Sequence, residues 1–174
     1  MKNTQIPPDP ITRATVSVAW VIVGNKPLYP VYIWYLTGNG VTASLATLLS
    51  IPFFLAIPLL ARHSSFAARM AFVLVGTLDT LFETKLYGQG SGTELFFAAC
   101  IMLAALSFHA EEKWWRRGMV AFVFAVFVFS RNWIGAPLHI WSDGDLSRLL
   151  DLNAFSVACL MAFVALRYPS GTNR

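Results

Sequence analysis

Charge is scarce in this chain. Only 13% of its 174 residues are Asp, Glu, Lys or Arg, while 56% are hydrophobic and the mean hydropathy is +0.58. A soluble domain carries about 25% charged residues and roughly 45–50% apolar ones, so this composition excludes an ordinary soluble domain. Cysteine is almost missing. Cys100 and Cys159 both lie inside apolar runs, which argues against a disulfide scaffold. A cleavable leader is not visible either. The opening residues, MKNTQIPPDPITR, are polar and Pro-rich and lack the apolar core and small-residue cleavage site of a signal peptide, so the N-terminus is expected to be retained. There is no HExxH motif or Cys/His pair spacing for zinc. No Gly-rich loop has a phosphate-binding context, and no nucleophile–base arrangement is readable. The formal net charge is +4, but the basic residues are scattered over short loops. They read as a topology signal, and no nucleic-acid partner is expected.

What remains is apolar sequence. A membrane span needs about 20 mostly apolar residues. Six runs approach or meet that length: 14–36, 42–61, 67–87, 93–108, 118–134 and 149–167. The expected fold is all-α, a polytopic membrane protein of six transmembrane helices. Residues 1–13 form a cytoplasmic N-terminal segment, 14–168 a single six-helix membrane domain, and 169–174 a cytoplasmic tail. Basic residues in short loops mark the cytoplasmic side. Lys2, Arg13, Arg62, Arg69, Lys113, Arg116, Arg117, Arg167 and Arg174 fall on the side of the termini; only Lys85, Arg131 and Arg148 fall opposite. Both termini are therefore expected in the cytoplasm.

Four charges interrupt these runs: Lys26, Asp79, Glu83 and Arg131. An ionised side chain at a membrane helix centre costs roughly 2.5–3.5 kcal/mol on insertion scales and is tolerated mainly when paired or facing a wet cavity. At about 1.5 Å per helical residue, counted from the cytoplasmic ends, all four fall roughly 15–21 Å deep. Asp79 and Glu83 share one helix face. Two carboxylates this close in low dielectric need cations or a shared proton, and Lys26 and Arg131 are the cations at that depth. The set can be a static ion-pair network or a ligand, ion or proton site. The first span also carries Pro27 and Pro30. They give either a simple kink or a broken helix lining a polar site. Tyr29, Tyr32, Trp34 and Tyr35 read as an interfacial belt, some of them able to wall a pocket.

Other constellations are weaker. The segment 131–141, RNWIGAPLHIW, is either a cap dipping over an outer cavity or a surface loop with interfacial tryptophans. His63 and His109 close two spans on the same side and could both reach one haem iron, but they sit beside loop residues near the headgroups, so no cofactor is expected. Ser64 stands where a cap for the third span belongs. Trp114-Trp115-Arg116-Arg117 reads as an interfacial anchor able to meet anionic lipid.

The run Gly90-Ser91-Gly92-Thr93-Glu94-Leu95-Phe96-Phe97, followed by an apolar span and a basic loop, resembles the start of the fourth span in bacterial six-helix membrane sensor modules. Those modules precede nucleotide cyclase or histidine kinase domains. The resemblance implies a multi-pass protein of the bacterial inner (plasma) membrane. It would be a receptor for a small apolar or amphipathic ligand, with no catalytic residues. No catalytic domain follows the sixth span before Arg174, so the chain is expected to be a free-standing relative or a module acting on a separate effector protein. The residues themselves point to an outward-facing pocket between the first, third and fifth spans. Its polar lining would be Asn25, Lys26, Asp79, Glu83, Arg131 and Asn132, with Tyr29 and Trp133 as walls, and its ligand amphipathic or hydrogen-bonding. The alternative is a small transporter or an ion or proton channel using Asp79 and Glu83. Besides ligand and effector, the expected partner is the lipid bilayer.

Overall fold

Pro27 and Pro30 set the first landmark. Each lacks a backbone N–H and crowds the preceding turn. Helix α1 (Pro10–Asn25) therefore stops, a 3₁₀ turn covers Lys26–Leu28, and α2 (Tyr29–Thr37) resumes. The computed structural model describes residues 9–169. Of the expected cytoplasmic N-terminal segment, 1–8 lie outside the described residues and 10–13 begin α1, and of the tail only 169 is described. After α2 come α3 (Val41–Leu45), a 3₁₀ turn Ala46–Ser50, and α4 (Ile51–Ala61). Next are α5 (Ser65–Tyr87), two 3₁₀ turns at Gln89–Ser91 and Thr93–Leu95, and α6 (Phe96–Leu106). Helices α7 (Lys113–Trp133) and α8 (Asp143–Arg167) complete the chain. Among the described residues the regular structure is wholly helical.

Helix starts follow capping chemistry. Asp9 accepts from the Thr12 amide at 3.0 Å, Ser64 from Ala67 at 3.2 Å, and Ser142 from Asp145 at 3.2 Å. The Ser64 cap is the one the sequence placed there.

Three segments, Val41–Ala61, Ser65–Tyr87 and Asp143–Arg167, are helical, long and apolar enough to cross a membrane. The other runs fall short for identifiable reasons. The first carries Lys26, Pro27 and Pro30 near its middle, which lower its hydropathy, and the helical stretch Thr93–Leu106 is short. Helix α7 carries Lys113, Arg116 and Arg117 at one end and Arg131 at the other.

Helices α1, α4, α5, α6 and α8 pack as a ring. Helix α1 meets α4 and α8, α5 meets α4 and α6, and α6 meets α8. Helix α7 lies outside this ring, against α5 and α6. The end where α1 starts and α8 finishes is here called basal, and the opposite end distal. The basal core joins Val18, Phe54, Phe72, Leu103, Val164 and Tyr168. The distal core joins Ile33, Leu86, Tyr87, Trp141 and Leu149.

Trp141 fastens the distal end. Its ring stacks on Tyr87 at 5.8 Å and lies against Gly40, where a Cβ would overlap the indole; Gly40 also has φ +69°. Only glycine meets both demands without strain. Gly40→Ala is expected to cost about 1–3 kcal/mol, as overpacking usually does. The unfolding midpoint in detergent should fall accordingly. Gly24→Ala, in the open part of α1 with nothing within 4 Å, should leave it unchanged or raise it. Equal behaviour of the two variants would contradict this account.

Candidate functional site

The break after α1 delivers Lys26 to α5. Its ammonium lies 2.7 Å from both Asp79 oxygens and 2.6 Å from Glu83 Oε1. The carboxylates are one helical turn apart, so both face α1. All three side chains are nearly enclosed, at 8%, 10% and 12% exposure. The Phe54 ring lies 5.9 Å from the ammonium. A charge removed from water is tolerated only when partners replace the lost solvation. Here one ammonium serves two carboxylates.

This triad closes the distal end of a cavity of about 640 Å³. The polar end presents Asn25, Lys26, Tyr29, Asp79, Thr80 and Glu83. Toward the basal end the walls become apolar: Phe54, Phe72, Leu103, Leu160 and Phe163. The rim includes Val21 and Tyr32 on one side and Phe155 on the other, all exposed. The mouth therefore opens sideways, along the seam between α1–α2 and α8. That seam is fastened above and below the opening. Basally, Thr15 Oγ1 and Tyr168 Oη are 2.9 Å apart and Arg167 donates to Ser17 Oγ at 3.1 Å. Distally, Tyr29 donates to Asn153 Oδ1 at 3.1 Å and Arg148 to the Leu36 carbonyl at 2.8 Å. The result is a window in the bundle wall, level with the helix break.

Five of the residues singled out in the sequence meet here: Asn25, Lys26, Tyr29, Asp79 and Glu83. Three do not. Arg131 is 55% exposed and pairs with Glu94 at 3.3 Å. The Asn132 amide donates to the Val128 carbonyl of its own helix at 3.4 Å. Trp133 is 80% exposed, beside a separate groove between α5 and α7. The physical reason is lateral. Residue counting gives depth along a span, but α7 packs outside the ring, so equal depth does not bring Arg131 to the triad. The cavity accordingly lies among α1, α4, α5, α6 and α8, and α7 takes no part.

The segment after Arg131 straps the end of α5. Lys85 donates to the Ile134 and Ala136 carbonyls at 2.8 and 2.7 Å, and Gln89 to the Arg131 carbonyl at 2.8 Å. It contributes no side chain to the cavity. Asn153 was missed. It is fully buried, accepts from Tyr29 and donates to the Ser91 carbonyl at 2.9 Å. An amide alone in the apolar run LNAFSVACL was the available signal.

A second polar cluster sits at the basal end. Buried Arg69 donates to Glu112 at 2.7 Å and lies 3.7 Å from Asp9. Partial burial disfavours the Asp9 carboxylate. The Thr12 hydroxyl and amide outweigh that, helped by Arg69 and Ser65, and its pKa lies below the usual carboxylate value. His109 Nε2 is 3.4 Å from Asp9, while His63 is exposed at the α4–α5 turn. Among the described residues no group of His, Cys, Asp and Glu is placed to hold a metal ion.

Fold and site together define a helical, membrane-associated domain with a side-opening cavity and a buried ion triad. Residues 11–169 match the MASE7 family model, and the chain belongs to MASE7, a family of membrane-associated sensor domains. No curated protein and no solved structure matches it.

Removing Lys26 should leave two uncompensated buried carboxylates. Lys26→Met is expected to cost about 3–5 kcal/mol, read as a lowered unfolding midpoint. Adding Asp79→Asn and Glu83→Gln should recover much of the loss. Arg131→Met removes a partner that is 55% exposed from a Glu94 that is 15% exposed, and should cost less than the Lys26 variant, roughly 1–2 kcal/mol. Equal losses for the Lys26 and Arg131 variants would refute this division.

Proposed function

We propose that this domain is the sensory part of a bacterial inner-membrane signalling system. In this reading it binds a small amphipathic or hydrogen-bonding ligand in the side-opening cavity and passes occupancy to an effector protein on the cytoplasmic side. The observation that carries the reading is the cavity itself: apolar walls, a few convergent polar groups at one end, and a mouth facing the bilayer. Small-molecule sites usually have this form, at about 300–1,000 Å³. Membership of a sensor family supports the same direction. Transport is not favoured. A transport path needs polar groups along its length, and the basal half of the cavity is walled by Phe54, Phe72, Leu103, Leu160 and Phe163.

The topology proposed with it is six spans with both termini cytoplasmic. Helices α1 and α2 then form one broken span, and the segment Thr93–Leu106 and α7 are the fourth and fifth. The basic asymmetry supports the orientation. With Cys100 and Cys159 replaced by alanine, single cysteines at exposed Asp143 and Ala110 report the two faces. An impermeant thiol reagent added outside should label position 143 and spare 110. The reverse pattern would overturn the orientation.

The ligand reading is tested by mass spectrometry of small molecules retained after gentle solubilisation. A molecule should accompany the native protein and be lost from Leu160→Trp, which fills the apolar half. Trp133→Ala, outside the cavity, should retain it. Identical retention by native protein and Leu160→Trp would rule out the cavity as its site.

A further inference from the structure

We infer that the polar end of the cavity takes the protonated amine head of a single-chain amphiphile, with Glu83 as its acceptor. This rests on the ligand-binding reading above and adds the charge of the ligand.

The charge count is the first argument. Two carboxylates face one ammonium, and each other membrane-level or distal cation is committed elsewhere. Arg131 pairs with Glu94, Lys85 donates to two loop carbonyls, and Arg148 donates to the Leu36 carbonyl. Arg69 is held by Glu112 at the basal end. The polar end of the cavity thus has one carboxylate in excess. Valence is the second argument. Lys26 engages both oxygens of Asp79 but only Oε1 of Glu83. Among the described residues Glu83 Oε2 accepts no hydrogen bond, and Glu83 lines the cavity. A carboxylate oxygen with open lone pairs asks for a donor, and a charged donor makes the stronger bond. The third argument is the wall. Tyr29, Tyr32, Phe54 and Phe96 line the cavity, and aromatic faces attract a cation and tolerate an alkyl chain.

An anionic head is disfavoured by the same excess charge. Like charges in a poorly solvated site repel far more strongly than in water. The tail is accommodated by the apolar basal half, and the sideways mouth lets a chain enter from the bilayer with its head still at the level of the helix break.

The test uses the full chain in nanodiscs of zwitterionic lipid at near-neutral pH, with decylamine, decanol and decanoate as probes. Concentrations are counted in the lipid phase. The readout is alkylation of Cys159 by a membrane-permeant maleimide, quantified by mass spectrometry. Cys159 is exposed and lines the cavity, so an occupant shields it. Decylamine should protect Cys159 at about a tenfold lower concentration than decanoate, equivalent to about 1.4 kcal/mol, with decanol between them. Glu83→Gln should bring the amine down to the level of the alcohol. Protection by decanol or decanoate equal to decylamine in the native protein overturns the inference and leaves the cavity reading standing. Protection by none of the three overturns both. The comparison among probes in the native protein needs no variant, so it holds even if Glu83→Gln fails to fold.

Discussion

An ammonium buried among helices must find its counter-ions, and that requirement sets the register of this bundle. Lys26 sits where α1 is broken, and its Nζ meets two carboxylates one turn apart on α5. The contact fixes the height of α1 against α5 to within a turn, because sliding either helix would strand a charge. It also fixes rotation, since Asp79 and Glu83 share one face. With α1 held there, the 3₁₀ turn at Lys26–Leu28 packs beside the turn Ala46–Ser50, and the cavity with the triad at its polar end opens between α1–α2 and α8.

The seam is then held by hydrogen bonds at its two ends. Tyr29 to Asn153 and Arg148 to the Leu36 carbonyl close the distal side; Thr15 with Tyr168 and Ser17 with Arg167 close the basal side. The groups of Thr15, Tyr168 and Asn153 are buried and costly when left unpaired, while Arg148 and Arg167 bond at the exposed edge. Pairing at both ends therefore defines where α1–α2 and α8 touch and where they separate.

How much of this the sequence disclosed depended on the kind of information each residue carries. Lys26, Asp79 and Glu83 were readable because ionised groups in apolar runs have few tolerable explanations. Helical character was readable from the length of the apolar runs. The chain order of the apolar runs follows the helices, but the starts of α1, α7 and α8 shift, α1 to Pro10 from the run at 14–36. Helix α8 starts at Asp143, ahead of the run at 149–167, because Ser142 caps it there. Helix α7 starts at Lys113, ahead of 118, because polar residues extend a helix past its apolar part. Arg131 was misplaced because its sequence position gives depth and no azimuth. Glu94 was the missing partner, and nothing in its position on the Gly-rich turn marked it as near Arg131. The Trp141–Gly40 contact was invisible for a related reason. It joins two loops whose closeness depends on the packing of the distal core.

The cavity and the basal end share walls. Phe54, Phe72 and Leu103 line the apolar half of the cavity and also belong to the cluster that buries Val164 and Tyr168. Tyr168 is the residue that caps the end of α8, and its hydroxyl is held by Thr15 of α1 and Ser107 after α6, at 2.9 and 3.1 Å. Close-packed interiors transmit displacement because they contain little free volume to absorb it. A molecule seated against Phe72 and Leu103 would therefore press on the same layer that sets the position of Tyr168. A ligand shifts such an arrangement only to the extent that it binds one packing better than another. In the proposed reading that difference arises at Phe72 and Leu103, one layer from the hydroxyl contacts that tie α8 to α1. In the proposed reading, occupancy would be felt at the end of α8, because Phe72 and Leu103 share one packed cluster with Tyr168.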